Sequence, residues 1–598
     1  MEKNDQQNFM LAIGLILVIM LASQYFLWGP NEKARLAEIE RQETALSETT
    51  PAIEAPALPR DRNDVLKDEA TEGARISFDA PAVDGSISVK GARIDDLSLK
   101  RHFTTVDKEE EVHLLTPRGA QNAFYAFQGW SGEANDLPNA NTLWKQIGTG
   151  KLTPTQPVTL TYANGELTFE RVIAIDDNYM FTITDKVTNT SGTEVVIRPY
   201  GAVRQHGLPD GWKPFHILHE GAIGMAGTKL KQQKYKNLDK GQELSFTSTG
   251  GWIGLTTKYW MATLIPDQAE PIAAKALVHR DGLRTIYETR VEGANREVRS
   301  GQTISYTSRI FAGAKRVEVL DAYQKNGATG PLGEELQPIP RFTDAVDWGH
   351  FWFFTKPFFW LLSQFNDWFG NFGLAIMALT VIVKLAFFPI QNTAYASMAK
   401  MRKLMPEMEK IKERFGADKQ RQQQEIMALY QREKANPFAG CLPLIPQMFV
   451  FYGLYKTLFV TLEMRHEPFL YLNDLSAPDP SSLLNLFGLI PWEPASIPLI
   501  GPIIGIGLLP VMYGLTMWCL QNLSPPPPDP TQKMMMQFLP LVFTFIFAGF
   551  AAGLVLYWTW SNILSIAQQY YIMRKNGVET QLDTWLKKKL GGEKTEVS

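Results

Sequence analysis

Two cysteines in 598 residues are too few for a disulfide framework. Cys441 and Cys519 lie far apart, each in an apolar segment, which also argues against a thiolate metal site. Phe438-Ala439-Gly440-Cys441 has the outline of a lipidation box, but it is internal and follows charged sequence, so Cys441 reads as a small packing residue. Charge of one sign is scarce too: 59 bases against 62 acids leave a net charge of −3, and nothing global points to nucleic acid. No nucleophile elbow and no phosphate loop occurs. His219-Glu220 and His466-Glu467 both lack the second histidine of a zinc-protease motif. His216-x-x-His219 at strand spacing does not aim two rings at one point, and an exposed loop pair is the commoner reading. The chain is therefore expected to be no enzyme and to carry no metal or cofactor. The start is weakly charged (Glu2, Lys3, Asp5), and the basic start, shorter core and small-x-small cleavage site of a secretory signal are not seen. Long hydrophobic runs are absent between residues 29 and 344.

Where apolar runs do occur they are long. Residues 371–390, NFGLAIMALTVIVKLAFFPI, carry a single charge, Lys384. At ~1.5 Å per residue such a helix covers about 30 Å, the thickness of a bilayer's hydrocarbon core. Lys384 falls inside that core, where an ammonium costs roughly 2.5–3.5 kcal/mol. Two readings stand side by side. A water-filled cavity facing the rest of a bundle offsets the cost, or the side chain snorkels toward the headgroups.

The remaining chain divides by period and charge. Residues 1–30 read as an uncleaved transmembrane anchor with an aromatic exit, Tyr25 to Trp28. Residues 31–72, rich in Glu, Ala and Pro, read as a flexible tether, helical at first. Over 73–320 the period becomes two. Val158 to Tyr162, Asn164-Gly165 and Leu167 to Phe169 form a hairpin signal. Many short strands predict an antiparallel β-sandwich. Residues 321–370 form a linker and an aromatic-rich helix in the membrane interface, with Pro357 in its first turn.

A membrane core is expected over 371–573. Within it, 391–436 is a polar helical hairpin with a stripe of Met398, Met401, Met405, Met408, Ile411 and Phe415, a stop at Gly416 and a cap at Asp418. Its ten bases against six acids place it in the cytoplasm. The next span, 438–462, holds Gln447 and Lys456, the latter read as snorkelling outward. Residues 463–496 form an outside loop, with 483–490 lying on the surface. The span 501–520 offers Gly501, Gly505 and Gly507 for close helix contact and Pro510 for a kink. A stiff proline linker at 525–530 leads to spans 534–550 and 554–573, and the tail 574–598 is basic. Alternating the crossings puts both termini inside and the sandwich outside.

The chain resembles the YidC family of bacterial membrane protein insertases, in its Gram-negative form with a large periplasmic domain. The likeness rests on Asp347-Trp-Gly-x-x-Trp-Phe, Val381-Ile-Val-Lys384 with Pro389, and Ser397-Met-Ala-Lys-Met-Arg402. It also rests on Asp418-Lys-Gln-Arg421 through Ala428-Leu-Tyr430, Asn436-Pro-x-x-Gly-Cys-x-Pro-Leu444 with Gln447-Met448, and Gly553-Leu-Val-Leu-Tyr557 with Ser561-Asn562. It covers essentially the whole chain and is weaker over the strand-rich region. The resemblance implies a mixed architecture: an all-β periplasmic sandwich plus a polytopic α-helical membrane domain, in which five helices enclose a polar groove open to the cytoplasm and to lipid.

The groove residues carried over are Lys384, Thr380, Gln447, Tyr557, Ser561 and Asn562. The family's groove cation is commonly Arg. Lys384 keeps the charge but loses the bidentate fork, so carboxylate recognition is less directional. A longer stretch at 483–498 is a second departure. The groove reading makes hydration the better account of Lys384. The implied function is insertion and folding of integral membrane proteins from the cytoplasmic side, alone or with the Sec translocon, in the inner membrane and without a small-molecule substrate. Met448, Phe449, Phe543 and Phe547 are expected to form the slide along which an apolar segment leaves. Lys400, Arg402, Lys403, Lys410, Lys412 and Arg414 are expected to dock the ribosome and signal-recognition machinery, with help from the tail. Two rivals remain at this stage. One is a secondary transporter of a small anion, disfavoured by the lack of internal repeats. The other is an envelope-binding protein that its helices merely anchor.

Overall fold

The computed structural model describes residues 60–71, 75–210, 212, 218–281, 284–416, 418–433, 444–488, 490, 497, 505–524, 530–578, 580 and 583. The expected anchor, most of the tether, His216, Cys441, the linker residues 525–529 and the tail beyond 583 lie outside the described residues.

The end of the tether is a helix and not loose chain. Helix α1 (Arg62–Thr71) is tied to the strands that follow, because Arg62 pairs with Asp96 and Glu69 with Arg75. Two antiparallel sheets come next. The first has ten strands; its main path runs Arg75–Asp79, Val83–Ser88, Arg93–Phe103, Phe124–Gly132, Val195–His206, Arg284–Glu292, Pro271–Asp281 and Leu244–Thr249. The second has nine, ordered Lys229–Lys234, Gly221–Ala226, Trp252–Thr256, Trp260–Ile265, Thr303–Ala314, Met180–Asn189, Leu167–Ile175, Val158–Ala163 and Lys145–Ile147.

Alternation drives the sandwich. In Leu167–Ile175 the residues Leu167, Phe169, Arg171, Ile173 and Ile175 are all buried. Arg171 breaks the apolar pattern and is satisfied by a two-pronged pair with Asp185, 2.7 Å on each arm, while Trp130 Nε1 donates to the same carboxylate. The Asn-Gly turn forms as expected: Gly165 has φ +92°, and Asn164 Oδ1 accepts from the backbone N–H of Glu166 and Leu167.

The short helices α2 (Tyr235–Leu238) and α3 (Val317–Lys325) add Tyr235, Leu238, Val319 and Leu320 to the same core. That core continues through Ile339, Phe342, Val346 and Trp348 to Val460 and Leu462, so sandwich and helices share one apolar seam. His219 is not an exposed loop residue. It is 6% exposed within this seam, its Nε2 hydrogen-bonded to the Ala222 carbonyl.

Helix α4 (Trp352–Phe369) buries Thr355, Phe358, Leu362 and Phe365, one face at helical spacing, and leaves Trp352, Phe353, Trp360, Trp368 and Phe369 exposed. It starts earlier than expected, so Pro357 is its sixth residue and not in the first turn. Gly370, at φ +64°, ends it in the left-handed conformation. Asn371 then caps α5 (Phe372–Arg414), accepting from Leu374 N at 3.1 Å.

Helix α5 runs 43 residues without a break, straight through Pro389 and Pro406. The membrane span and the first arm of the hairpin are therefore one continuous helix, about 65 Å along its axis. Among the described residues it is the one helix long and apolar enough by itself to cross a membrane. Asp418 caps the return arm α6 (Lys419–Arg432), and the arms pack through Met408, Leu429 and Tyr430.

Helices α7 (Leu444–Val460), α8 (Leu508–Leu523), α9 (Pro530–Phe547) and α10 (Ala552–Lys575) complete a five-helix bundle with α5. Pro510 lies in the first turn of α8, where a missing N–H costs nothing, and not in a helix interior where it would force a kink. Gly501 lies outside the described residues, and the close helix contact falls instead at Gly514. A Cβ there would stand 2.0 Å from Thr544 Oγ1 on α9. Gly507 fits beside Asp479, whose carboxylate accepts from Leu509 N at 2.8 Å and so caps α8 from a distant loop.

Candidate functional site

The bundle holds a buried polar seam. On α10 the residues Tyr557, Ser561, Ser565 and Gln569 recur every four positions, which puts them on one face over about 18 Å. All are inside: 2%, 6%, 5% and 0% exposed respectively. Polar groups so placed need partners, and each neighbouring helix supplies one. Gln447 Nε2 on α7 donates to the Tyr557 hydroxyl at 3.3 Å, and Tyr557 also bonds Ser561. From α5, Lys384 Nζ donates to Ser565 Oγ at 2.7 Å, and the Tyr395 hydroxyl reaches the same serine. From α8, Thr516 Oγ1 accepts from Asn562 Nδ2 at 3.2 Å, and Ser524 Oγ accepts from Gln569 Nε2 at 3.3 Å.

The seam is only partly satisfied by protein. Gln391 Oε1, Gln568 Nε2 and Gln569 Oε1 are buried and have no partner among the described residues. Amide groups in that position call for water, because an unmet donor or acceptor in an apolar bundle costs on the order of 1–3 kcal/mol. All three lie on the hairpin side of Lys384 and Ser565 along α5 and α10, so the hydration they call for lies toward that end.

The two intramembrane cations are treated differently. Lys456 on α7 is 0% exposed and does not snorkel; its Nζ meets Asp347 Oδ2 at 2.7 Å. Lys384 turns inward to Ser565 and has no carboxylate partner among the described residues. One charge is paired with a carboxylate, and the other rests on a hydroxyl.

The other expected site residues separate. Thr380 is 1% exposed and spends its hydroxyl on the Ile376 carbonyl at 2.7 Å, so it lines the site without offering a hydrogen bond to a guest. Met448 and Phe449 are exposed on α7, and Phe543 is half-buried. Phe547 is not on the surface: it is buried by stacking on Trp558, ring centroids 4.0 Å apart. Of the hairpin bases, Lys400, Lys403, Lys410 and Arg414 are exposed and Lys412 is half-buried. Arg402 is not a free docking charge, since its guanidinium donates to the Leu523 carbonyl at 2.9 Å and closes the C-terminus of α8.

Ser565, Tyr395, Gln391 and Gln569 were not among the expected residues. The four-residue repeat of Tyr557, Ser561, Ser565 and Gln569 was the available signal.

Known proteins are similar to this chain over both its halves. A family model described as 60Kd inner membrane protein matches residues 364–579, and one described as YidC periplasmic domain matches 75–361. A protein of Maricaulis maris named membrane protein insertase YidC is 46% identical over 586 residues, covering 97% of each chain. One of the same name from Caulobacter vibrioides is 45% identical over 604 residues, covering 97% of this chain and 98% of its own. Among solved structures, one titled as an active YidC insertase with its first transmembrane domain resolved covers 83% of this chain and 92% of its own, at 16% identity and a TM-score of 0.33.

Proposed function

This chain belongs to the YidC family of membrane protein insertases, and from that premise we propose that its buried polar seam is the path by which hydrophilic parts of a client enter the bilayer. The protein is an insertase of the inner membrane. The sandwich then lies on the periplasmic side, and the hairpin and both termini lie in the cytoplasm. This arrangement follows the excess of bases in the hairpin.

The work is physical. A short polar segment of the client leaves water at the hairpin end and meets the hydroxyls and amides of α10 in place of its hydration shell, which lowers its desolvation penalty. Lys384 attracts an acidic residue in that segment, and Ser565 holds the ammonium in place meanwhile. The client's apolar segment moves along Met448, Phe449 and the outer faces of α7 and α9 into lipid, driven by the hydrophobic effect. Methionine suits a surface that meets many sequences. The exposed bases Lys400, Lys403, Lys410 and Arg414 supply a docking face for the ribosome or signal-recognition machinery, and the Sec translocon is a further partner.

The observation that carries this reading is a cation with no carboxylate partner among the described residues, held by a hydroxyl in a polar seam that those residues do not fully satisfy. Photo-crosslinking tests it. A crosslinking residue at Tyr557 or Ser565 should capture a nascent single-span client during insertion, and one at Trp368, at the far end of α4, should not. Equal capture at all three would overturn it.

A further inference from the structure

The sandwich carries a cleft of about 740 Å³ beside the C-terminal end of α7, apart from the polar seam. Phe124 and Gln205 of the first sheet wall it on one side, and Leu255 and Trp260 of the second on the other. Phe459 of α7 and Arg465 beyond it add to the lining from the bundle. The volume falls in the range of roughly 300–1,000 Å³ typical of small-ligand sites.

Two donors in this lining have no acceptor among the described residues. Trp212 Nε1 is buried and unmet. The Lys258 ammonium rests on two aromatic faces, 4.0 Å from the Phe459 ring centroid and 4.5 Å from that of Tyr259, with no hydrogen bond or ion pair to a described residue. Glu220 and Asp474 act on it only through space, and the Glu220 carboxylate accepts the Lys258 backbone N–H at 3.0 Å instead. Arg465 lies over Trp260 and donates to the Thr104 carbonyl at 3.3 Å. Glu110 and Asp210, the other acids of the lining, are exposed and so stand at the mouth. With Lys258 and Arg465 against Glu110, Asp210 and Glu220, net charge does not select a ligand. The placement of donors and rings does: unmet donors inside, two carboxylates at the rim, flat rings between.

Unmet donors call for a ligand rich in acceptor oxygens. A sugar supplies them, its hydroxyls also donate to the rim carboxylates, and its C–H face covers an aromatic ring. An acyl chain would leave the carboxylates unused, and a free phosphate would leave the rings unused. We propose that this cleft binds a short acidic saccharide, with a sugar carboxylate on the Lys258 ammonium, an acceptor oxygen on the Trp212 N–H and a ring face against Trp260. The saccharide is held and released, with no bond made or broken. Nothing in this rests on the client path through the bundle.

The test is saturation-transfer NMR on the full-length protein in neutral detergent, with three probes at millimolar concentration: digalacturonic acid, the neutral disaccharide cellobiose, and a blocked tripeptide of aspartate, phenylalanine and aspartate. Digalacturonic acid should bind about tenfold more tightly than cellobiose, the worth of one charge-assisted hydrogen bond, and the tripeptide should not displace it. Lys258→Gln should abolish the preference for the acidic sugar while cellobiose still binds, a ratio that does not depend on how much protein is folded. Trp212→Phe keeps a ring and removes the N–H, so it should weaken both sugars several-fold and leave their ratio unchanged. Lys275→Gln, exposed on another strand and outside the cleft, should change nothing. No binding of digalacturonic acid, equal affinity for the two sugars, an acid preference that survives Lys258→Gln, or displacement by the tripeptide would each overturn the proposal. None of these readouts depends on client insertion, so failure here leaves the insertase seam untouched.

Discussion

Lys456 of α7 and Asp347 of the strap before α4 meet across 2.7 Å, and the Asp347 carboxylate also accepts the backbone N–H of His219 at 2.8 Å. One ion pair therefore joins a bundle helix to the sandwich. Burial pushes the Asp347 carboxyl up, but the Lys456 ammonium and the His219 N–H outweigh it and hold it below the usual carboxylate range. Removing one member leaves the other's charge buried without this counter-charge. Lys456→Met or Asp347→Leu alone should cost about 3–5 kcal/mol, and the double substitution should regain most of that. Thermal unfolding of the four proteins in detergent micelles checks it. Strictly additive losses would show that the pair is not coupled.

Lys384 should behave in the opposite way. It is held by a hydroxyl, with no carboxylate partner among the described residues, so its charge adds little to the fold. Lys384→Met should leave the melting temperature equal or higher, and should lower insertion of clients with an acidic translocated segment about 3- to 10-fold, the loss of roughly 1 kcal/mol of charge attraction. Clients with a neutral segment should suffer less, and Lys384→Arg should retain activity. Insertion into vesicles, read by protease protection, gives the comparison. Equal loss for acidic and neutral clients would remove the charge from the account.

These two lysines also show what a sequence alone reveals. Period-two alternation and the Asn164-Gly165 turn announce the sandwich because they are local. The 371–390 run announces its helix for the same reason. The fate of Lys456 was not local: its partner stands 109 residues away, and depth in a span says nothing about it. Pro510 misled because a proline's effect depends on where its helix starts, and Asp479, from another loop, sets that start. The polar seam was legible at Lys384, Gln447, Tyr557, Ser561 and Asn562 through family resemblance, as residues the structure brings together. Its continuation to Ser565 and Gln569 shows only once α10 is drawn as a helix and the neighbours' donors are in view. Phe547 was assigned to the surface because an apolar residue in a span reads alike whether it faces lipid or, as here, Trp558.

Packing of α8 on α9 depends on one missing methyl group. A Cβ at residue 514 would overlap Thr544 Oγ1, whose hydroxyl is committed to the Pro540 carbonyl at 2.8 Å. Gly514→Ala should destabilise by about 1–3 kcal/mol, since the helices must part. Thr544→Ala should recover most of the loss in the same background, whereas Thr544→Ser, which keeps the oxygen, should not. Denaturant melts of the detergent-solubilised variants distinguish the two rescues, and equal rescue by both would place the strain elsewhere.

Acid should loosen the seam between sandwich and helices before it protonates the carboxylates. Burial pushes His219 down to about 4, so in the folded protein its ring stays neutral well below neutrality. In the unfolded chain the same ring titrates near 6.5. Between those values the unfolded state binds the extra proton, so stability is full above about pH 6.5 and falls as pH drops toward 4. From pH 7.5 to 5.0 this group should withdraw on the order of 2 kcal/mol. His102, also pushed down to about 4 by burial, acts in the same window. His219→Gln cannot take up that proton, so its melting temperature should fall less than the native chain's over this pH range while remaining similar at pH 7.5. If both proteins lose the same number of degrees, His219 is not the group that couples acid to this seam.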